Sequence, residues 1–190
     1  MRFGKGQRKE ENMRIVVLME NTPGNSGCQC EHGLSLYIET KKQCMLADTG
    51  ASGLFLKNAE ALGVDVRKVE KVFLSHGHYD HTGGVPALLT KLKKKTPFYI
   101  GKEFFSPKYK RLEDGSYHYN GNPFQKEQLT EQDATAELHF VDEDVTRISG
   151  QLVLFKNFTR ITKYESVNPK FFVKTEAGYE QDLFSDEIAL

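Results

Sequence analysis

The order of apolar and polar positions predicts short strands that alternate with helices from Met13 onward. Arg14 to Met19 is a run rich in β-branched residues that ends in a cluster of turn formers, which is typical of a buried strand. Leu34 to Glu39 alternates between apolar and polar residues. We expect it to pair with Gln43 to Ala47 across a polar turn, so that the two segments form a hairpin.

Two helices are predicted in the next part of the chain. Ser52 is a suitable N-cap for a helix over residues 53–62. A second helix is predicted from Val85 to about Lys94, with a proline that its first turn tolerates. These helices alternate with strands predicted at the apolar triplets 72–74 and 98–100, and this order indicates an α/β fold.

The later part of the chain favours strands. Residues 108–123 are rich in Tyr, Gly and Asn and predict a hairpin around Asp114 and Gly115. Three further segments are predicted to be strands of a second sheet: Ala136–Val141, Gln151–Phe155 and Phe171–Lys174.

We predict one domain over residues 13–190, preceded by a disordered leader or tag at residues 1–12. The leader contains four basic and two acidic side chains and no apolar stretch, so it lacks the apolar segment of a secretory signal. Residues 186–190 resemble the start of another buried strand, whereas natural domains usually end in polar segments. We therefore expect the domain to be truncated at its C-terminus.

The composition narrows the classes of partner. Lys and Arg together number 26, and so do Asp and Glu, whereas a protein that binds the nucleic acid backbone usually has a basic excess. The longest apolar runs are far shorter than the ~20 residues of a membrane span. Cys28, Cys30 and Cys44 lack the spacing of redox or zinc pairs, so we expect reduced thiols. The expectation is a cytoplasmic protein that binds a small molecule, and no nucleic acid or membrane.

Candidate chemistry is concentrated in residues 76–81, which contain three of the six histidines and one aspartate. Imidazole nitrogen and carboxylate oxygen are ligands that suit Zn²⁺, Fe and Mn. In an extended loop the alternate spacing directs His76 and His78 to the same side. A tighter turn at Asp80 and His81 can serve a second metal nearby, and we expect the glycines at 77, 83 and 84 to provide the necessary backbone conformations.

The segment His76-Gly-His-Tyr-Asp-His81 resembles the His-x-His-x-Asp-His signature of the metallo-β-lactamase superfamily. The flanking residues 72–75 and 82–84 match as well, and residues 46–50 are similar to the earlier Asp-x-Gly element. Further stretches around Glu31, Asp114 and Phe184 resemble the subgroup labelled dihydropterin ribofuranosyl-aminobenzene phosphate synthase. The resemblance implies a four-layered αβ/βα sandwich, with its second half incomplete here.

The resemblance also implies roles for individual residues. His76 and His78 would bind a first metal. Asp80 and His81 would bind a second, and Asp80 would also hold or receive the proton of the attacking water. Asp48 would orient the histidine loop from behind the ligands, as metal-bound imidazoles usually require, although a turn residue that caps the backbone is the alternative.

His32 precedes a strand that opens near the site in this subgroup, and a loop histidine without a role is an equal alternative. Members of the family supply further ligands from strand ends well after the signature, typically in a Gly-x-x-His turn. After His81 this chain has only His118, in the predicted hairpin, and His139, in a predicted strand. We therefore expect the chain to stop before the later metal ligands.

The resemblance implies a metal-dependent hydrolase in which a metal-bound hydroxide attacks an ester, phosphoester or pterin-phosphate substrate. One or two divalent metals are expected, with zinc favoured and iron or manganese left open. Two alternatives remain. In the first alternative, the chain is a truncated, non-catalytic fragment that acts as a binding or assembly protein. In the second, its site is completed by a second chain in a homo-oligomer.

Overall fold

The computed structural model describes residues 13–24, 27–131 and 135–190. The predicted leader at 1–12 lies outside them. The strands are β1 (Arg14–Met19), β2 (Ser35–Glu39), β3 (Cys44–Ala47), β4 (Lys71–Phe73), β5 (Thr96–Gly101), β6 (Lys108–Arg111), β7 (Tyr117–Tyr119), β8 (Ala136–Val141), β9 (Val145–Ser149), β10 (Leu152–Lys156), β11 (Phe171–Thr175), β12 (Gly178–Gln181) and β13 (Ile188–Ala189). The helices are α1 (Leu54–Ala61), α2 (Tyr79–Thr82), α3 (Val85–Leu89) and α4 (Lys126–Thr130), with a 3₁₀ turn at Val66–Lys68.

A six-stranded sheet in the order β1-β2-β3-β4-β5-β8 forms the centre of the fold. Strands β1, β2 and β3 are antiparallel, whereas β3, β4, β5 and β8 run parallel. Ala47 pairs with Phe73, so the carboxyl ends of β3 and β4 lie side by side. The loops that follow these two strands therefore start next to each other.

Apolar side chains cover both faces of this sheet. On one face Phe55, Leu88 and Leu129 of three helices pack into the larger core cluster. On the other face Phe73 and its neighbours pack against Leu154 of the three-stranded sheet β13-β10-β9. A third, four-stranded sheet has the order β12-β11-β6-β7. The α/β class and the layered sandwich predicted from the sequence are confirmed.

Predictions that depended on local pattern are close to the observed elements. The hairpin of β2 and β3 forms as expected, and so does the β6–β7 hairpin, with Gly115 at a φ of +83° in its turn. The Ser52 hydroxyl accepts a hydrogen bond from the Leu54 amide at the start of α1, although Gly53 occupies the N-cap position. Cys28, Cys30 and Cys44 form no disulfide with one another in this structure.

Three predictions about the extent or burial of elements were wrong. Strand β1 lies at the edge of the sheet, so Ile15 and Val17 are about half exposed and the strand is not wholly buried. Helix α3 ends at Leu89 and does not reach Lys94. A helical turn, α2, forms within the segment after β4 that the sequence indicated to be irregular.

The prediction that these later strands belong to one second sheet was also wrong. Residues 136–141 form β8, which extends the central sheet beside β5. Residues 152–156 belong to the three-stranded sheet, and residues 171–175 belong to the four-stranded sheet. Alternation along a strand identifies its buried face and not its neighbour, so the sequence could not assign these strands to sheets. In the part of the chain that the structure describes, no helix is long and apolar enough to span a membrane.

The assignment of the core can be tested by replacing one buried and one exposed phenylalanine. Phe55 is fully buried beneath the central sheet, whereas Phe155 is 45% exposed on β10. Phe55→Ala should lower the free energy of unfolding by about 3–5 kcal/mol because it leaves a cavity. Phe155→Ala should lower it by less than about 1 kcal/mol. Urea unfolding followed by circular dichroism measures both values, and equal losses would contradict this assignment of the core.

Candidate metal centre

Three histidine side chains meet at the carboxyl end of β4. The ring of His76 lies 4.8 Å from that of His78 and 4.3 Å from that of His81, measured between centroids. His78 is extended and forms the N-cap of α2, so the chain turns sharply after it. This turn brings Asp80 and His81 back towards the first two histidines. The structure thus brings together the residues predicted from the signature, in a cluster that we call the histidine loop (residues 75–82).

Asp48 joins the histidine loop to the end of β3. One carboxylate oxygen accepts a hydrogen bond from the Ser75 amide at 2.7 Å. The other accepts from the Ser75 hydroxyl and contacts His81 Nδ1, each at 2.7 Å. Asp48 is buried and has a left-handed backbone with a φ of 55°, a conformation that aspartate tolerates better than most residues. The predicted alternative, a carboxylate that only caps the backbone, accounts for one of these three contacts.

The surroundings shift the pKa values of two imidazoles in opposite directions. Burial lowers the pKa of His76 well below its usual value, and the proximity of His81 and His78 lowers it further. Burial also lowers the pKa of His81, but the hydrogen bond to the Asp48 carboxylate and the charge of Asp80 outweigh this effect and raise it. The lowered pKa of His76 favours its neutral form, which is the form that binds a metal ion.

Asp80 and His32 lie next to each other at the exposed side of the loop. Asp80 Oδ2 is 3.3 Å from His32 Nε2 and 3.6 Å from His81 Nε2. The other ring nitrogen of His32 contacts the side-chain oxygen of Asn21 at 3.2 Å. The backbone comes equally close, because a Cβ on Gly33 would lie 2.2 Å from the Asp80 carbonyl oxygen. His32 is thus in direct contact with Asp80, one of the predicted ligands.

The glycines in and directly after the histidine loop serve a different purpose from the expected one, which was to provide special backbone conformations. Gly77, Gly83 and Gly84 do not adopt left-handed conformations. A Cβ on Gly77 would lie 2.2 Å from the Phe104 carbonyl oxygen, and one on Gly83 would lie 2.0 Å from that of Ala51. These positions require glycine because neighbouring backbone is packed against them.

A second group of charged residues behind the histidines was not predicted. The Lys108 ammonium lies 2.9 Å from Asp182 Oδ2 and 3.0 Å from Asp186 Oδ1, and all three side chains are buried. Phe184 packs on the rings of both His76 and His78. These residues are more than 70 positions from Lys108 in the sequence, and no spacing relates them. The sequence pointed to this region only through the resemblance around Phe184, which assigned no role to these charged residues.

The two later histidines lie elsewhere. His118 is exposed on β7 opposite Lys110, and His139 packs on the ring of Tyr99 with its Nε2 3.0 Å from Glu137. His118 and His139 therefore each make contacts outside the histidine loop, as their predicted positions in a hairpin and a strand led us to expect.

The donor chemistry of the histidine loop fits a divalent metal. His78 is 3% exposed, and its Nε2 has no hydrogen-bond partner in the described segments, although Asp182 Oδ2 lies 3.4 Å away. A buried nitrogen of this kind is costly unless a ligand satisfies it. Across residues 13–24, 27–131 and 135–190, however, no three His, Cys, Asp or Glu side chains are arranged to hold one ion. The loop offers suitable ligands but not a complete three-ligand set.

The contacts of Asp48 predict a dependence of stability on pH in the metal-free protein. Because the folded state raises the pKa of His81, protonated His81 stabilises the fold below its unfolded pKa, and this contribution disappears as the pH rises through the folded pKa. Asp48→Asn should lower the pKa of His81, observed by NMR titration of the imidazole, with exposed His118 as the internal reference. The difference in unfolding free energy between the two proteins should be larger at about pH 5.5 than at about pH 8.5. A difference that does not vary with pH would contradict the proposed pairing.

Comparisons with known proteins agree with this geometry. Residues 29–153, which include Asp48 and the histidine loop, match the family model described as the metallo-beta-lactamase superfamily. The chain is 32% identical over 103 residues to 7,8-dihydropterin-6-methyl-4-(beta-D-ribofuranosyl)-aminobenzene-5'-phosphate synthase of Methanocaldococcus jannaschii, covering 51% of this chain and 35% of that protein. An uncharacterized protein of the same organism is 28% identical over 95 residues, covering 50% of this chain and 37% of that protein.

A solved structure, Tm1679, is described as a metal-dependent hydrolase of the beta-lactamase superfamily. It superposes with a TM-score of 0.70 at 31% identity, over 93% of this chain and 60% of that chain. The chain thus spans little more than a third of the two curated relatives and under two thirds of this structure. On the match of the family model and the shared fold, the chain belongs to the metallo-β-lactamase superfamily.

Proposed function

We propose that this chain contributes a metal-dependent hydrolase site, in which His76 and His78 hold one divalent metal and Asp80 and His81 hold a second. The observation that carries the proposal is the buried Nε2 of His78, which forms no hydrogen bond within the described residues and faces Asp182 Oδ2 at 3.4 Å, beside the ring of His76, whose pKa is held low. Zinc is the metal that suits these ligands best, with iron and manganese as alternatives. When bound, such a metal lowers the pKa of a coordinated water to ~7 and so supplies hydroxide at neutral pH.

The side chains around the metal ligands keep them in position. Asp48 occupies Nδ1 of His81, so that Nε2 is the nitrogen left to face Asp80. This arrangement fixes the orientation of the ring and the nitrogen that can act as a ligand. Ser75 is also held in position, because Asp48 accepts hydrogen bonds from both its amide and its hydroxyl.

Asp80 is the best candidate for proton transfer. Its side chain is partly exposed, and its Oδ2 lies within 3.6 Å of the imidazole nitrogens of His81 and His32. A carboxylate in this position can hold or receive a proton at Oδ2 and pass it to His32, which is largely exposed. His32 would therefore act as the contact between Asp80 and solvent.

The proposed substrate class rests on the relatives of this chain. One relative is named as a synthase of a dihydropterin aminobenzene phosphate compound, and one structural neighbour is described as a metal-dependent hydrolase. We propose a small-molecule ester, phosphoester or pterin-phosphate substrate. The balanced charge of the chain is consistent with a small molecule rather than a nucleic acid.

Metal binding provides the direct test. The chain is purified without chelator or metal-affinity resin, titrated with Co²⁺, and followed by absorption spectroscopy together with elemental analysis of the dialysed protein. We expect about one or two equivalents of metal per chain. His78→Ala and His76→Ala should each weaken Co²⁺ binding by at least about tenfold because each removes a ligand. His139→Ala is the matched control and should leave binding unchanged, since this residue packs on Tyr99.

If the folded chain binds no metal, or if the three histidine variants behave alike, the hydrolase proposal is wrong for this chain. The alternative of a binding or assembly protein would then be favoured. One observation supports it: an apolar groove of about 630 Å³ beside β1 and β10, with Ile15, Met45 and Phe155 in its walls. Size-exclusion chromatography with light scattering would then determine whether copies of the chain associate through it.

A further inference from the structure

We propose that Lys108 is a positioning residue for the histidine loop, which it holds through Asp182 and Asp186. This inference rests on the proposed function, because it assigns a role in ligand placement to residues outside the signature. The structure shows a chain of contacts from the Lys108 ammonium to the two carboxylates, and from these to Gly77 and His78.

The burial of this cluster makes each contact obligatory. Lys108 and Asp182 are 1% exposed, and Asp186 is fully buried. A buried carboxylate without partners is strongly disfavoured, and Lys108 supplies the only ammonium group that contacts both carboxylates within the described residues. Removing Lys108 would therefore leave two buried carboxylates without the ammonium that they share.

Each of the four carboxylate oxygens has a partner, and two of them share the Lys108 ammonium. Asp186 Oδ1 contacts the Lys108 ammonium, and Asp186 Oδ2 accepts a hydrogen bond from the Gly77 amide at 2.7 Å. Asp182 Oδ1 accepts from the Phe184 amide at 2.8 Å. Asp182 Oδ2 contacts Lys108 and lies 3.4 Å from His78 Nε2. The cluster thus contacts the backbone between the two proposed ligands of the first metal and the ring of one of them.

The cluster also connects the histidine loop to parts of the chain that are distant in sequence. Lys108 begins β6, Asp182 follows β12 of the same four-stranded sheet, and Asp186 precedes β13 of the three-stranded sheet. The Asp186 backbone is close as well, because a Cβ on Gly101 would lie 2.0 Å from its carbonyl oxygen. The position of the histidine loop is therefore set by three sheets at once.

A substitution of Asp186 separates a positioning role from a purely structural one. Asp186→Asn retains the size of the side chain, but an amide has one oxygen and one NH₂ group. Either orientation places the NH₂ group against a donor, the Gly77 amide in one case and the Lys108 ammonium in the other. The variant therefore loses one of the two contacts without creating a cavity. Lys108→Met removes the common partner of both carboxylates.

The control is Leu129→Ala, which destabilises the larger core on α4 and contacts no member of the cluster by charge or hydrogen bond. The three variants are compared by urea unfolding, Co²⁺ titration and amide hydrogen exchange at Gly77. We expect Asp186→Asn and Lys108→Met to weaken Co²⁺ binding by about 10- to 100-fold and to accelerate exchange at Gly77. Leu129→Ala should lose stability while its Co²⁺ affinity stays within about threefold of the wild type.

A different result would overturn the inference. If Asp186→Asn changes neither Co²⁺ affinity nor exchange at Gly77, or if Leu129→Ala weakens Co²⁺ binding by the same factor at equal stability, the cluster serves stability alone. If the wild-type chain binds no Co²⁺, the proposed function fails. The positioning role is then decided on the metal-free chain, by whether Gly77 exchange and the NMR shifts of His76 and His78 change in Asp186→Asn but not in Leu129→Ala.

Discussion

The carboxylate of Asp48 connects the two strand ends on which the candidate site is built. Strands β3 and β4 are parallel neighbours, and the carboxylate that follows β3 binds the amide and hydroxyl of Ser75 directly after β4. The same group contacts His81 after the turn of α2. One buried side chain thus determines where the histidine loop begins and how it returns, and charge-assisted hydrogen bonds of this kind are stronger than neutral ones.

Close packing against neighbouring backbone also holds the loop in place. Gly77, Gly83 and Gly33 each face backbone carbonyl oxygens at distances that leave no room for a side chain. The loop is therefore pressed between the turn after β5, the segment after β3 and the segment before β2. Such packing makes the path of the loop backbone a property of the fold, because this backbone cannot shift without displacing its neighbours.

Behind this loop lies a group of buried charges, in which the Lys108 ammonium contacts the carboxylates of Asp182 and Asp186. An ammonium with two carboxylates is costly to bury, and an apolar replacement of similar shape is often as stable. The position of this group at the junction of three sheets, in contact with Gly77 and facing His78, is the basis for the role in arranging the site that we propose. The stability of the domain itself derives from the two apolar cores on either face of the central sheet.

The sequence by itself determined the α/β class, the hairpins and the group of residues that carries the chemistry. These depend on information within a few residues, such as the alternation of β2, the turn at Gly115 and the spacing of His76, His78 and His81. The relation between Asp48 and the histidine loop came from a family resemblance, since nothing local links residues so far apart.

Only the tertiary structure decided which strands share a sheet and what lies behind the histidines. Strand β8 joins the central sheet because Phe98 and Leu138 lie in register across β5 and β8, a pairing that alternation cannot specify. Lys108, Asp182 and Asp186 meet because two smaller sheets bring their ends to one buried point. The physical reason is the same in both cases. A buried charge needs an opposite charge and a strand edge needs a neighbouring strand, and both partners come from distant parts of the chain. The sequence shows that such a partner is needed, but it does not show which residue or strand provides it.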